Sequence, residues 1–238
     1  MDDKARGLIE EIKFPEGYKA ALSKVVDIGA ASVERDGLPI ESGMIDLGVL
    51  PEELDLPYLV FSWIAETNEV IENLNLVLTD LHILGENYFR FEGSPRVRFY
   101  LLIRTFFYEF YRLKEIFIRT VSLLKKNGYM VKEDRNRIVD LFEEAFKPSV
   151  KLRGSLVHGS IVWKGKDHFE LAVIGGLKDA GLEHQFPKLS GDVCFRKALH
   201  RLCEQSIEGM LNEGRAMSKI IQMTVDYWVK QPSEPSAS

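Results

Sequence analysis

From position 62 onward, apolar residues recur at intervals of three, four and seven, the period of a helix buried along one face. In 62–84, Ile64, Ile71, Leu74, Leu78 and Leu81 form one lane, and Gly85 is placed to stop the helix. Ser94-Pro95 then supplies an N-cap and a first-turn proline for the strongest helix of the chain, which ends near Gly128. Its lane is Phe99, Ile103, Phe106, Phe110, Leu113, Phe117 and Leu124, with Leu102, Phe107 and Ile118 beside it. So wide an apolar face requires neighbours on more than one side, and this helix is the expected spine of a bundle. A shorter amphipathic helix follows (Ile138, Leu141, Phe142, Phe146), stopped by Pro148, with a fresh turn or two from Ser149 to Gly159.

The run IVW-KGKD-HFELAVI at 161–174 reads as a β-hairpin, two short apolar strands about a glycine-containing turn. A last long helix is expected from Cys194 to Trp228, then a disordered tail at 231–238. Residues 1–61 read as an appended region. It holds a helix ended by Gly37, a short extended piece at Met44–Leu47 and a helical turn after Pro51. The predicted fold class is all-α, an antiparallel four- to five-helix bundle over 62–230 with a small β-hairpin.

Composition adds mainly exclusions. Hydrophobic residues at 45% and charged residues at 28% give a soluble globular balance with material for a large core. The opening MDDKARGLIEEIKFPEG carries acids and no long apolar run, so no signal peptide is expected. No run approaches the ~18 apolar residues of a membrane span. Cys194 and Cys203, nine apart in a helical pattern, face opposite ways and read as buried or free thiols in a reducing cytoplasm. No spacing suits zinc and no glycine-rich loop cradles a phosphate, so no metal or cofactor is expected. A net charge of −5 argues against coating long nucleic acid, but leaves room for a local phosphate pocket.

One stretch carries chemistry, KLRGSLVHGS at 151–160. His158 is suited to move a proton at neutral pH, and Arg153 stays charged and matches phosphate oxygens with a fork of donors. Together they suit metal-independent cleavage of a phosphodiester that has a 2′-hydroxyl beside it, so RNA rather than DNA. Positions five apart lie about 140° from each other on a helix. One chain therefore does not easily aim both groups at one atom, whereas a two-fold dimer sets His158 of one chain near Arg153 of the other.

In this setting RGSLVHG resembles the R-x4-6-H signature of the HEPN superfamily, helical bundles of prokaryotic toxin–antitoxin, abortive-infection and other defence systems. The resemblance covers 62–230 by architecture and Arg153 and His158 by motif. It implies a homodimeric, metal-independent RNase, or a relative without catalysis, and as partners RNA and an antitoxin or a nucleotidyltransferase. Members usually carry a polar residue directly after the arginine, where this chain has Gly154. The other reading of the pair is structural: His158 interacts with the last carbonyls of its helix and Arg153 pairs with a nearby acid.

Lys147, Lys151 and Arg153 give local positive potential, and the two lysines are candidate substrate contacts. Arg104, flanked at helical spacing by Tyr100, Tyr108 and Tyr111, is either a further phosphate contact or an arginine that stacks and pairs with an acid. Glu109 either orients the motif or pairs along its helix with Arg98, Arg112 and Glu115. His200, between Arg196 and Arg201, reads as part of a solvated face and His82 as a boundary residue. His168 and His184 carry no usable signal.

Overall fold

In the computed structural model the described residues are 8–36, 51–157, 165–185 and 192–230. They form six α-helices: α1 (Lys19–Asp36), α2 (Glu52–Asn87), α3 (Pro95–Lys126), α4 (Lys132–Val157), α5 (Lys166–Asp179) and α6 (Asp192–Lys230). The extended piece expected at Met44–Leu47, the first hairpin strand, His158 and the tail lie outside the described residues.

α3 is the spine that its lane predicts. Phe99, Phe106, Phe117 and Leu124 are fully buried, and Ser94 caps the helix by accepting from the Val97 N–H with Pro95 in the first turn. The neighbours run antiparallel to it. On α2, Asn73 and Glu69 face Glu109 and Arg112, while on α4, Phe142 and Phe146 meet Phe117 and Phe110. α6 packs against α2, and α5 against α6 and α3.

The helix end expected at Pro148 is absent: α4 runs through it, just as α2 runs from Glu52 through Pro57. Each proline removes one hydrogen bond and costs up to about 3 kcal/mol in a helix interior. Burial on both sides offsets this: Leu54, Val60 and Trp63 around the first, Phe146 and Ser149 around the second. On α4 the buried lane is Val139, Phe142 and Phe146, whereas Leu141 is 63% exposed.

Gly85 does not end α2; it lets α6 approach. A Cβ there would stand 2.9 Å from Cys203 Cβ. Gly85→Ala is expected to cost about 1–3 kcal/mol by overpacking, against about 1 kcal/mol regained in helix propensity, and thermal melting measures the net loss.

The described residues do not support the β-hairpin. Residues 168–174, its second strand, lie in α5, and no strand occurs among the described residues. The helical period wins because Leu171, Ile174 and Gly175 are buried together, while Asp167 and Glu170, three apart, both reach Arg201 on α6. The N-terminal region joins the same core through Ile9 and Ile12, and position 61/62 falls inside α2.

Candidate functional site

Arg153 sits half-buried near the C-terminal end of α4, where the antiparallel packing brings it over α3. Its guanidinium carbon lies 4.4 Å from the centre of the Tyr111 ring and 5.6 Å from that of Tyr108. Such stacking holds the cation over the negative ring faces without neutralising it. Its Nε is buried and has no hydrogen-bond partner among the described residues. The acid partner of the structural reading is therefore absent from the described residues. His158 follows directly on the last residue of α4 in the chain and lies outside the described residues.

The basic candidates divide into two groups. Lys147 and Lys151, one turn apart, are exposed and line a depression with Lys114, Asp140, Glu143 and Glu144. There Lys147 pairs with Glu144 at 3.5 Å and Lys114 with Glu143 at 3.0 Å, so carboxylates offset much of the positive charge. Arg153, two residues beyond Lys151, points about 200° round the helix from it. The expected continuous patch is thus split between two sides of α4.

Arg104 falls with Arg153. It is exposed on the side of α3 that carries Tyr100, Tyr108 and Tyr111, and no ion pair engages it among the described residues. Of the two arginines it is Arg153 that stacks on the tyrosines. Glu109 lies on another side, accepting from Asn73 Nδ2 at 3.2 Å and pairing with Arg112 at 3.6 Å, so helical pairing describes it and it does not orient Arg153. The strip around His200 is dispersed: His200 Nδ1 lies 3.4 Å from Glu86, Arg196 stands over Phe89, and Arg201 binds Asp167.

His168 closes the other end of the tyrosine face, a placement hidden from a sequence reading that puts it in a strand. Read helically, His168, Leu171 and Gly175 share one lane of α5. The His168 ring stacks on Tyr100 with centroids 6.4 Å apart and planes 20° apart, and lies 6.2 Å from the Phe99 ring. Tyr100 to Tyr108 is two turns, about 12 Å. A cationic and aromatic strip thus runs along α3 from His168 past Arg104 to Arg153.

Burial lowers the pKa of His168 below its ordinary 6.5, partly countered by the Asp167 carboxylate. The folded chain therefore binds fewer protons here than the unfolded one. Stability present above pH 6.5 should be lost as pH falls below it through the depressed folded value. Replacing His168 by Gln should flatten that part of the profile, as read by urea midpoints between pH 5 and 8.

Burial likewise pushes the Cys203 thiol up to about 12, which makes it unreactive, while Cys194 is exposed; both are free. Among the described residues no group of three or more His, Cys, Asp or Glu gathers to hold a metal, and no helix is long and apolar enough to cross a membrane. Comparison with protein-family models, curated proteins and solved structures finds no match.

Proposed function

We propose that the protein is a HEPN-like, metal-independent endoribonuclease that works as a homodimer, in a toxin–antitoxin or phage-defence setting. The observation that carries this reading is Arg153: a stacked, half-buried cation with no carboxylate partner among the described residues and an unsatisfied Nε. A half-buried cation that is stacked on rings and has no acid beside it keeps its charge available to an anion. Arg104 on the same face of α3 adds a second charge for the phosphate chain.

In the reaction, His158 takes the proton of the ribose 2′-hydroxyl and the oxygen attacks the adjacent phosphorus. The P–O5′ bond breaks, and the 5′-oxygen leaves with a proton returned by the imidazole. Arg153 stabilises the charge gathering on the non-bridging oxygens. Products are a 2′,3′-cyclic phosphate and a free 5′-hydroxyl. The purified chain should cut single-stranded RNA in EDTA and leave the all-deoxy oligonucleotide intact. An uncut RNA under these conditions would end the reading.

The alternative, a non-catalytic bundle of the same kind that binds a nucleotide or a protein, is favoured by Gly154. A Cβ at this position would meet nothing within 4 Å among the described residues, so their packing does not require the glycine. Gly154→Asn should therefore fold normally, losing at most the usual surface increment of about 0.5 kcal/mol. Under the catalytic reading it should raise cleavage severalfold. A Gly154→Asn variant that cuts no RNA, with a wild type that also cuts none, would favour the non-catalytic bundle.

A further inference from the structure

Residues 8–15 hold no secondary structure, yet Ile9, Ile12 and Pro15 are buried while Glu10, Glu11 and Lys13 are exposed. Burial with a period of three fits an extended, polyproline-type strand, and Pro15 at its end is extended with ψ 130°. Such a strand makes no hydrogen bonds of its own, so its buried amides need outside partners.

Side chains of α2 and α6 supply them. The Ile9 N–H donates to Asn75 Oδ1 at 2.9 Å, and Asn75 Nδ2 donates back to the Ile9 carbonyl at 3.0 Å. Asn68 does the same for Ile12, at 2.7 and 3.0 Å. On the other wall the Lys13 N–H donates to Gln222 Oε1 at 2.7 Å, and Ser218 Oγ donates to the Glu10 carbonyl at 2.6 Å.

The register is matched. Asn68 and Asn75 stand seven residues apart on α2, about 10.5 Å, and three residues of polyproline-type chain span about 9 Å. Gly214 on α6 opens the slot for Ile9, since a Cβ there would stand 2.3 Å from Ile9 Cδ1. Glu10 and Glu11 share a surface depression with Arg215 and Lys219.

Primary amides paired in both directions with a main chain read an extended peptide by its backbone. Two aliphatic slots and a basic rim then select the side chains. None of these contacts depends on the segment being joined to the same chain. We propose that the groove between α2 and α6 is a peptide-binding site which the chain fills with its own residues 8–15. Its partner ligand is an extended segment of another protein with two aliphatic residues three apart and acidic residues between them, which displaces the resident one. The proposal is independent of Arg153 and His158.

The test uses the full chain with its own segment disabled by Ile9→Asp and Ile12→Asp, which leaves the groove intact. A fluorescent peptide of residues 7–15, GLIEEIKFP, should bind this variant saturably by anisotropy, at least tenfold more tightly than it binds the wild type, whose groove is filled. Adding Asn68→Ala and Asn75→Ala should weaken it at least tenfold, and a peptide with aspartate at both isoleucines should not compete. A folded aspartate variant that binds no peptide would overturn the proposal. Should circular dichroism find that variant unfolded, Ile9→Ala with Ile12→Ala decides by the same readout. A wild-type dimer that dissociates on the aspartate substitutions would make the occupant a second copy's segment and overturn the assignment to another protein.

Discussion

Mixing Arg153→Ala chains with His158→Ala chains is expected to restore about a quarter of the ribonuclease rate that each variant alone has lost. Each single variant should lose on the order of 10²–10⁴ in rate, the range for removing a general acid–base or a preorganised charge. Random reassortment makes half of the dimers mixed. If His158 of one chain serves Arg153 of the other, one of the two sites in each mixed dimer is whole. If both groups came from the same chain, mixing would restore nothing, and if either variant cut at the wild-type rate the pair would not be the site. Arg153→Lys sharpens the result. It keeps the charge but not the planar fork that stacks over Tyr111, so it should recover only part of the rate. The rate of the mixed preparation should retain the wild-type pH profile, a readout that a merely structural Arg153 would not preserve.

The bundle was legible where one lane of residues decides everything. α3 has an unbroken apolar lane, a serine cap and a first-turn proline, and these local signals agree with the tertiary packing. Disagreement arose where distant burial outweighed a local signal. Pro148 marks a helix end in the sequence, but Phe146, buried against Phe110 of α3, carries the chain through. In 168–174 the alternating Phe169, Leu171 and Val173 suit a strand, and only Arg201, about thirty residues on, reveals that Asp167 and Glu170 share a helical face.

Of the candidate site, the motif pair and Arg104 could be found by residue type and spacing alone. His168 could not, because its role depends on α5 being a helix docked on Tyr100. The separation of Lys147 and Lys151 from Arg153 was readable in principle from the roughly 200° between 151 and 153, provided that α4 continues past Pro148. The use of Ile9 and Ile12 was not readable at all. Their partners Asn68 and Asn75 lie 56 and 66 residues away and, as amides on a long helix, resemble ordinary surface residues.

Phe117→Ala should destabilise the fold by about 3–5 kcal/mol, the largest effect expected of any single truncation here. Phe117 is fully buried where three helices meet. Its ring stacks on Phe142 of α4, with centroids 4.2 Å apart and planes within 15°, and tilts against Trp63 of α2 at 6.0 Å. Removing it empties a site that neither neighbour can fill, because each is fixed by its own helix. The informative control is Leu141→Ala on α4. The apolar pattern counts Leu141 as core, yet at 63% exposure its loss should stay within about 0.5 kcal/mol. Urea unfolding followed by circular dichroism measures both, with an unchanged slope showing that the unfolded states are comparable. A Leu141→Ala cost equal to that of Phe117→Ala would mean that α4 is rotated about its axis from the orientation described. Arg153 would then no longer lie over Tyr111, and the cation on which the proposed chemistry depends would point elsewhere.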